Sequence, residues 1–140
     1  MKFYLFSYIL LILSTFNTAK TQAQENQPTK SNYVVLTKKV PQLQPILLTA
    51  EALRAEQGDS FGDFQVIICG KEIGDITQDD LITPFIERAK KAGVQIIACG
   101  FSLKKFKVSR AAVPSGIKIV ENGILHNFRL QHKGYKSLSL

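Results

Sequence analysis

Two hydrophobic periods alternate along the chain. Tyr33-Val34-Val35-Leu36 is a short unbroken apolar run with β-branched residues, the pattern of a strand covered on both faces. Leu43, Ile46, Leu47, Ala50 and Leu53 then recur at spacings of three and four, which predicts one face of a helix. Pro41 and Pro45 must lie before that helix or in its first turn, because an interior proline breaks the hydrogen-bond ladder. Gly58 and Gly62 bracket a turn. A second apolar run, Phe64 to Gly70, is echoed by Val94 to Gly100, with Gln65 matching Gln95 and Cys69 matching Cys99. The offset is about the length of one strand–helix–strand unit. Between the copies, Leu81, Ile82, Phe85, Ile86 and Ala89 form a helical stripe. Thr77 or Asp79 is placed to cap it, Pro84 belongs in its first turn, and Gly93 ends it. Ile117 to Val120 predicts a fourth strand. Ile124, Leu125, Phe128 and Leu130 predict a last helix stopped by Gly134, and Tyr135 to Leu140 a short fifth strand.

Strands that are apolar nearly throughout imply a parallel sheet with helices on both faces, joined by right-handed crossovers. The expected fold is therefore α/β: a three-layer α/β/α sandwich of about five strands in a single domain. Ligands of such sheets bind beyond the carboxyl ends of the strands, where both cysteines stand.

The start of the chain has a different character. After Met1-Lys2, residues 3–16 are apolar but for Ser7, Ser14 and Thr15. A helix of that length rises about 21 Å, short of the ~30 Å bilayer core. A basic start, a short apolar run and small residues at Thr21-Gln22-Ala23 predict a secretory signal over residues 1–23, cleaved before Gln24. The alternative is an uncleaved membrane anchor. No cysteine follows the run, which excludes a lipoprotein anchor. Residues 24–32 predict a flexible leader, and residues 33–140 the folded domain. The expected location is exported, periplasmic in a Gram-negative source.

Composition changes this picture little. Of 140 residues, 45% are hydrophobic and 21% charged, which excludes a disordered, collagenous or coiled-coil chain. Two cysteines exclude a disulfide scaffold and a four-cysteine zinc site. The net charge of +7 falls by two when Lys2 and Lys20 leave with the signal. The basic stretch Lys104, Lys105, Lys107, Arg110 and Lys118, with Phe101 and Phe106, reads as a solvated face rather than a nucleic-acid surface. His126 and His132 are six apart, so they lie on different helix faces and are expected at the surface without a metal. Phosphate-loop, dinucleotide, nucleophile-elbow and zinc-protease patterns are absent, and no cofactor is expected.

Cys99 is the candidate reactive group. It closes its strand and meets Gly100, a residue that lets backbone approach a ligand. If Ser102 opens a short helix, its amides favour a thiolate, and Lys104 and Lys105 add positive potential. Gly70, Gly100 and Ser102 are the candidate substrate-binding residues. The competing reading is a buried, inert thiol. For Cys69 that reading is stronger, since Glu72 offsets Lys71. With the common strand order 2-1-3-4-5 the first strand would separate the two cysteine strands by about 9–10 Å, at roughly 4.8 Å per step. A disulfide needs Cα atoms within about 7 Å, so both are expected as free thiols.

The segment Val94 to Leu103 resembles the cysteine segment of the DsrE/DsrF-like family. So do its spacing to Val113-Pro114-Ser115-Gly116-Ile117-Lys118-Ile119-Val120 and the ending Leu130-Gln131-His132-Lys133-Gly134-Tyr135. The resemblance implies a small α/β fold assembled into trimers or hexamers, and sulfur handling in which a cysteine passes a persulfide between donor and acceptor proteins. Cys99 is the cysteine that maps. Phe101-Ser102 stands where the nearest branch often has Asn-Thr, and the chain ends Ser137-Leu138-Ser139-Leu140 where that branch often has proline. The first function expected is a sulfur carrier or thiol relay working through Cys99. The alternatives are an oligomeric binding module with an inert thiol and a small-ligand or anion binder at the strand ends. The residues leave open whether the chain is an enzyme. No nucleic acid partner, and no membrane contact after signal cleavage, is expected.

Overall fold

The computed structural model describes residues 30–140. The expected signal (1–23) and most of the leader lie outside the described residues. Five strands form one parallel sheet: β1 (Ser31–Thr37), β2 (Phe61–Ile68), β3 (Val94–Cys99), β4 (Lys118–Val120) and β5 (Lys136–Ser139). Four α-helices connect or follow them: α1 (Leu43–Gln57), α2 (Asp79–Ala92), α3 (Gly100–Lys105) and α4 (Gly123–His132). The architecture is the expected three-layer α/β/α sandwich in a single domain. β1 begins two residues before the expected boundary. Asn32, assigned to the leader, lies in the sheet and accepts the Asp63 amide hydrogen bond at 2.8 Å.

The strand order is β4-β3-β2-β1-β5, not the expected 2-1-3-4-5. The chain adds β2, β3 and β4 successively on one side of β1. It then returns across the sheet to place β5 on the other side. Right-handed crossovers put the connections of the first leg on one face and that of the return leg on the other. α1, α2 and α3 accordingly bury Leu43, Ile46, Leu47, Ala50, Ile82, Ala89 and Leu103 against Val35, Val66, Ile68, Ile96 and Ala98. Among the described residues α4 alone covers the opposite face, with Leu130 against Val34, Leu36, Ile67 and Ile97. Among the described residues the first core holds twenty buried side chains and the second seven. At about 1.5–3 kcal/mol for each fully buried large apolar side chain, most of the stability resides on the first face.

The two echoing segments pair residue for residue. Phe64 lies opposite Val94 and Ile68 opposite Ala98, so the repeat in sequence is the parallel register of β2 on β3. Gly93 ends α2 in the left-handed region, at φ 65°. Arg54 of α1 ties in that corner: its Nε donates to the Ala92 carbonyl at 3.1 Å, and its guanidinium lies 4.5 Å from the Phe61 ring centroid.

Three local expectations are corrected. Gln78 stands at the N-cap of α2 without a side-chain cap, in place of Thr77 or Asp79. Asp79 and Asp80 instead occupy the first turn, where the helix dipole favours acids. Pro84 is the sixth residue of α2, beyond the first turn. It is exposed, so the ladder bond it removes lies on the solvent side. In α4 only Leu130 of the four predicted core residues is buried. Ile124, Leu125 and Phe128 are exposed, because Gly123 and Asn127 are the residues turned to the sheet. Among the described residues no helix is long and apolar enough to cross a membrane.

Candidate functional site

The corrected strand order brings the two cysteines together. Ile68 pairs with Ala98, and the next residues in each segment are Cys69 and Cys99. Neighbouring strands run about 4.8 Å apart, so the separation expected from an intervening strand does not exist. Both side chains point to the α4 face, above Ile67 and Ile97, and both are free thiols.

The start of α4 closes over them. β4 exits through Glu121 and Asn122, and Asn122 caps the helix by accepting the Leu125 amide at 3.1 Å. That fixes the Gly123 amide 3.2 Å from Cys99 Sγ, as its donor. A glycine is required here by close approach. A β-carbon at this position would stand 2.5 Å from Cys69 Sγ, 2.8 Å from Ile67 Cγ2 and 3.1 Å from Cys99 Cβ. This is also where the chain passes from one face of the sheet to the other, the place where parallel α/β sheets bind ligands.

Ser102, in the first turn of α3, supplies the next contact. Its Oγ accepts from the Gly70 amide at 3.0 Å, which leaves its own proton to donate to Cys99. Gly70 can present that amide because it adopts φ 98°, a conformation side chains disfavour. Burial pushes the Cys99 thiol up. The Ser102 hydroxyl, the Gly123 and Ser102 amides and the Cys69 thiol act against burial, and together they hold Cys99 below its ordinary value. Cys69 is pushed up to about 12, first by burial and then by Cys99 beside it. Glu72, expected to suppress Cys69, is not a cause. The outcome is an asymmetric pair, in which the thiolate is favoured on Cys99 and the proton on Cys69.

The pair forms the floor of an open cavity of about 490 Å³. Leu36, Phe101, Phe106 and Ile124 make its apolar walls, and Lys38 and Lys105 its cations. Among the described residues no carboxylate lines it. Of the expected site residues, Cys99, Gly70 and Ser102 line the cavity. Gly100 does not: it is buried where α3 passes the end of β4, and a β-carbon there would stand 3.0 Å from the Val120 carbonyl oxygen. Lys105 lines the cavity and Lys104 does not. Arg110 is paired with Glu121 at 2.7 Å.

Cys69 as a partner of Cys99, Lys38, Asn122 and Gly123 were missed as site residues. The echo itself carried the signal for Cys69, since copies in register place matching residues side by side. Asn122-Gly123 ahead of a helical pattern is a start signal that would have located the α4 terminus.

His126, expected at the surface, is half-buried against the sheet with its Nε2 2.9 Å from Gln65 Oε1. Gln65 Nε2 in turn donates to Asp63 at 2.5 Å, as does the Tyr135 hydroxyl at 2.8 Å. His132 is exposed. Among the described residues no group of three metal-ligating side chains is gathered.

No protein-family model matches the chain, and no curated protein matches it. Solved structures do match. A protein of unknown function from Methanobacterium thermoautotrophicum, MTH1491, is similar with a TM-score of 0.64 and 16% identity, over 78% of this chain and 100% of that one. A conserved protein of unknown function from Bacteroides thetaiotaomicron, BT1422, is similar with a TM-score of 0.58 and 18% identity, over 78% and 95%. At these identities the likeness shows a shared fold.

Proposed function

We propose that the protein is a sulfur carrier of the DsrE/DsrF-like kind, exported from the cell, whose working group is the Cys99 thiolate. The observation that carries this reading is the Cys99 environment. The thiol is held below its ordinary value by the Ser102 and Gly123 donors, and it sits at the floor of a cavity lined by Lys38 and Lys105 and, among the described residues, no acid. A thiolate is the nucleophilic form of cysteine. Cys99 attacks the outer sulfur of a persulfide or polysulfide donor. The donor's S–S bond breaks, its thiolate leaves with the electron pair, and Cys99 keeps the sulfane sulfur. The Gly123 amide and the two lysines favour the charge on the product as they favour it on the thiolate. The resemblance of the Val94 to Leu103 segment points the same way. It also supports assembly as a trimer or hexamer, with the exposed apolar residues of α4 available for contacts between copies.

One observation favours a second reading, an oligomeric binding module with an inert thiol: Cys99 is only 3% exposed. Alkylation rates of the native protein across a pH series, with peptide mass mapping after polysulfide treatment, separate the two. The carrier reading expects Cys99 to label faster than Cys69 at neutral pH and to gain sulfur mass. Equal rates with no added sulfur would leave the binding module.

A further inference from the structure

We propose that Cys69 is a resolving thiol, which discharges sulfur from Cys99 by closing a Cys69–Cys99 disulfide. The step rests on Cys99 accepting sulfur as proposed above.

Three features place Cys69 for this role. It follows Ile68, the last residue of β2, as Cys99 follows Ala98, and Ile68 pairs with Ala98 across adjacent parallel strands. Strand spacing of about 4.8 Å lies within the Cα separation that a disulfide accepts, and both side chains occupy the same face. Both thiols stand at Gly123, whose amide is 3.2 Å from Cys99 Sγ, and both line the same cavity. Gly123 completes the arrangement: the lack of a β-carbon there leaves Cys69 Sγ its place beside Cys99.

The atoms balance without a further oxidant. With Cys99 as Sγ–S–H, the Cys69 sulfur attacks Cys99 Sγ. A Cys69–Cys99 S–S bond forms, the Sγ–S bond to the sulfane sulfur breaks, and that sulfur leaves as hydrosulfide with the electron pair. The Cys69 proton is released to solvent or to the leaving group. The sulfane sulfur is reduced, and the two cysteines are oxidised to the disulfide. A thiol-containing reductant, small or protein, must then restore the dithiol by ordinary exchange. A mixed disulfide on Cys99 is resolved the same way, with a thiolate leaving in place of hydrosulfide.

The asymmetry of the pair sets the order of events. Cys69 is kept protonated by burial and by Cys99 at its side. Once Cys99 Sγ is capped, its charge moves outward or is lost, and the Cys99 contribution to that suppression weakens. Loading of Cys99 thus eases the part of that suppression which Cys99 supplies, and burial keeps the rest.

The test uses reduced wild-type protein and the Cys69→Ser and Cys69→Ala variants, checked for native circular dichroism, with one equivalent of inorganic polysulfide under anaerobic conditions. Wild type is expected to release hydrosulfide and end as the Cys69–Cys99 disulfide. The folded variants are expected to keep the extra sulfur on Cys99 at least tenfold longer. If wild type holds its sulfur as long as the variants and no linked peptide forms, the resolving role is overturned and the carrier reading stands. A second arm uses an aromatic disulfide in place of polysulfide. Wild type is expected to release two aromatic thiolates per chain with no adduct, the variants one, with the adduct on Cys99. This result without any sulfur uptake from polysulfide would overturn the carrier reading and leave Cys69 as the resolving half of a dithiol pair. An adduct that persists on wild type would overturn the pair.

Discussion

The Gly123 amide donates to Cys99 Sγ across 3.2 Å, and through that bond the return leg of the chain seals the end of β3. The first turn of α4 is packed onto both cysteines, so it cannot be altered without altering the thiols.

Gly123→Ala places a β-carbon within 2.5 Å of Cys69 Sγ and 2.8 Å of Ile67 Cγ2. Overpacking of this kind costs about 1–3 kcal/mol. The expected outcome is a lower midpoint in urea, together with a Cys99 alkylation profile moved to higher pH as the amide is pushed away. An unchanged profile would mean that this amide does not hold the thiolate.

Ser102→Ala removes one donor to Cys99 and the acceptor of the Gly70 amide. Native alkylation of Cys99 at neutral pH is expected to slow. Stability should fall by about 1–2 kcal/mol, as for a buried donor left unpaired. Both effects are read from one set of samples by mass spectrometry and denaturant unfolding. Wild-type reactivity in a destabilised variant would confine Ser102 to a structural role.

Alkaline pH should destabilise the fold. Cys69 and Tyr135 both stand near 12, above their ordinary values of 9 and 10, the first mainly through burial and the second through burial and Asp63. Between the ordinary and raised values the unfolded chain has lost protons that the folded chain retains. Their contribution is thus full below about pH 9 and is lost as pH rises toward 12. Thermal midpoints should decline across that window, and less steeply in Cys69→Ser and Tyr135→Phe. Parallel declines in all three proteins would refute the assignment.

Acid acts through His126. Burial and, after it, Lys118, Lys133 and Arg129 hold its pKa below 6.5. Below that pH the unfolded state binds a proton more readily, so stability falls as pH falls. His126→Gln is expected to flatten the midpoint-versus-pH curve below about pH 6.5, and a curve of wild-type slope would show that this ring is not responsible.

The exposed residues of α4 bear on assembly. Phe128 is 63% and Ile124 57% exposed, on the only helix covering its face of the sheet among the described residues. Light scattering of the wild type is expected to report a trimer or hexamer at micromolar concentration. Phe128→Asp is expected to shift it toward monomer. An oligomer indifferent to that change would place the interface elsewhere.

What the chain declares by itself is local. Strand and helix periods, the echo around the two cysteines and the placement of Cys99 at a strand end follow from side-chain chemistry acting over a few residues. So do Gly70 and Ser102 as its neighbours. These were sufficient for the α/β class and for three of the four expected site residues at the cavity. Tertiary structure decided the rest, because strand order is a relation between segments far apart in sequence. Whether β1 lies between β2 and β3 or outside them changes no local pattern, yet it determines whether Cys69 and Cys99 are strangers or partners. The same holds for α4. Its apolar positions predict a core face, but the return crossover turns Gly123 and Asn127 to the sheet and leaves Ile124 and Phe128 in solvent. Packing requires that a residue without a side chain approach the thiols at that point. That requirement comes from the opposite end of the sheet's path and is written in no single segment.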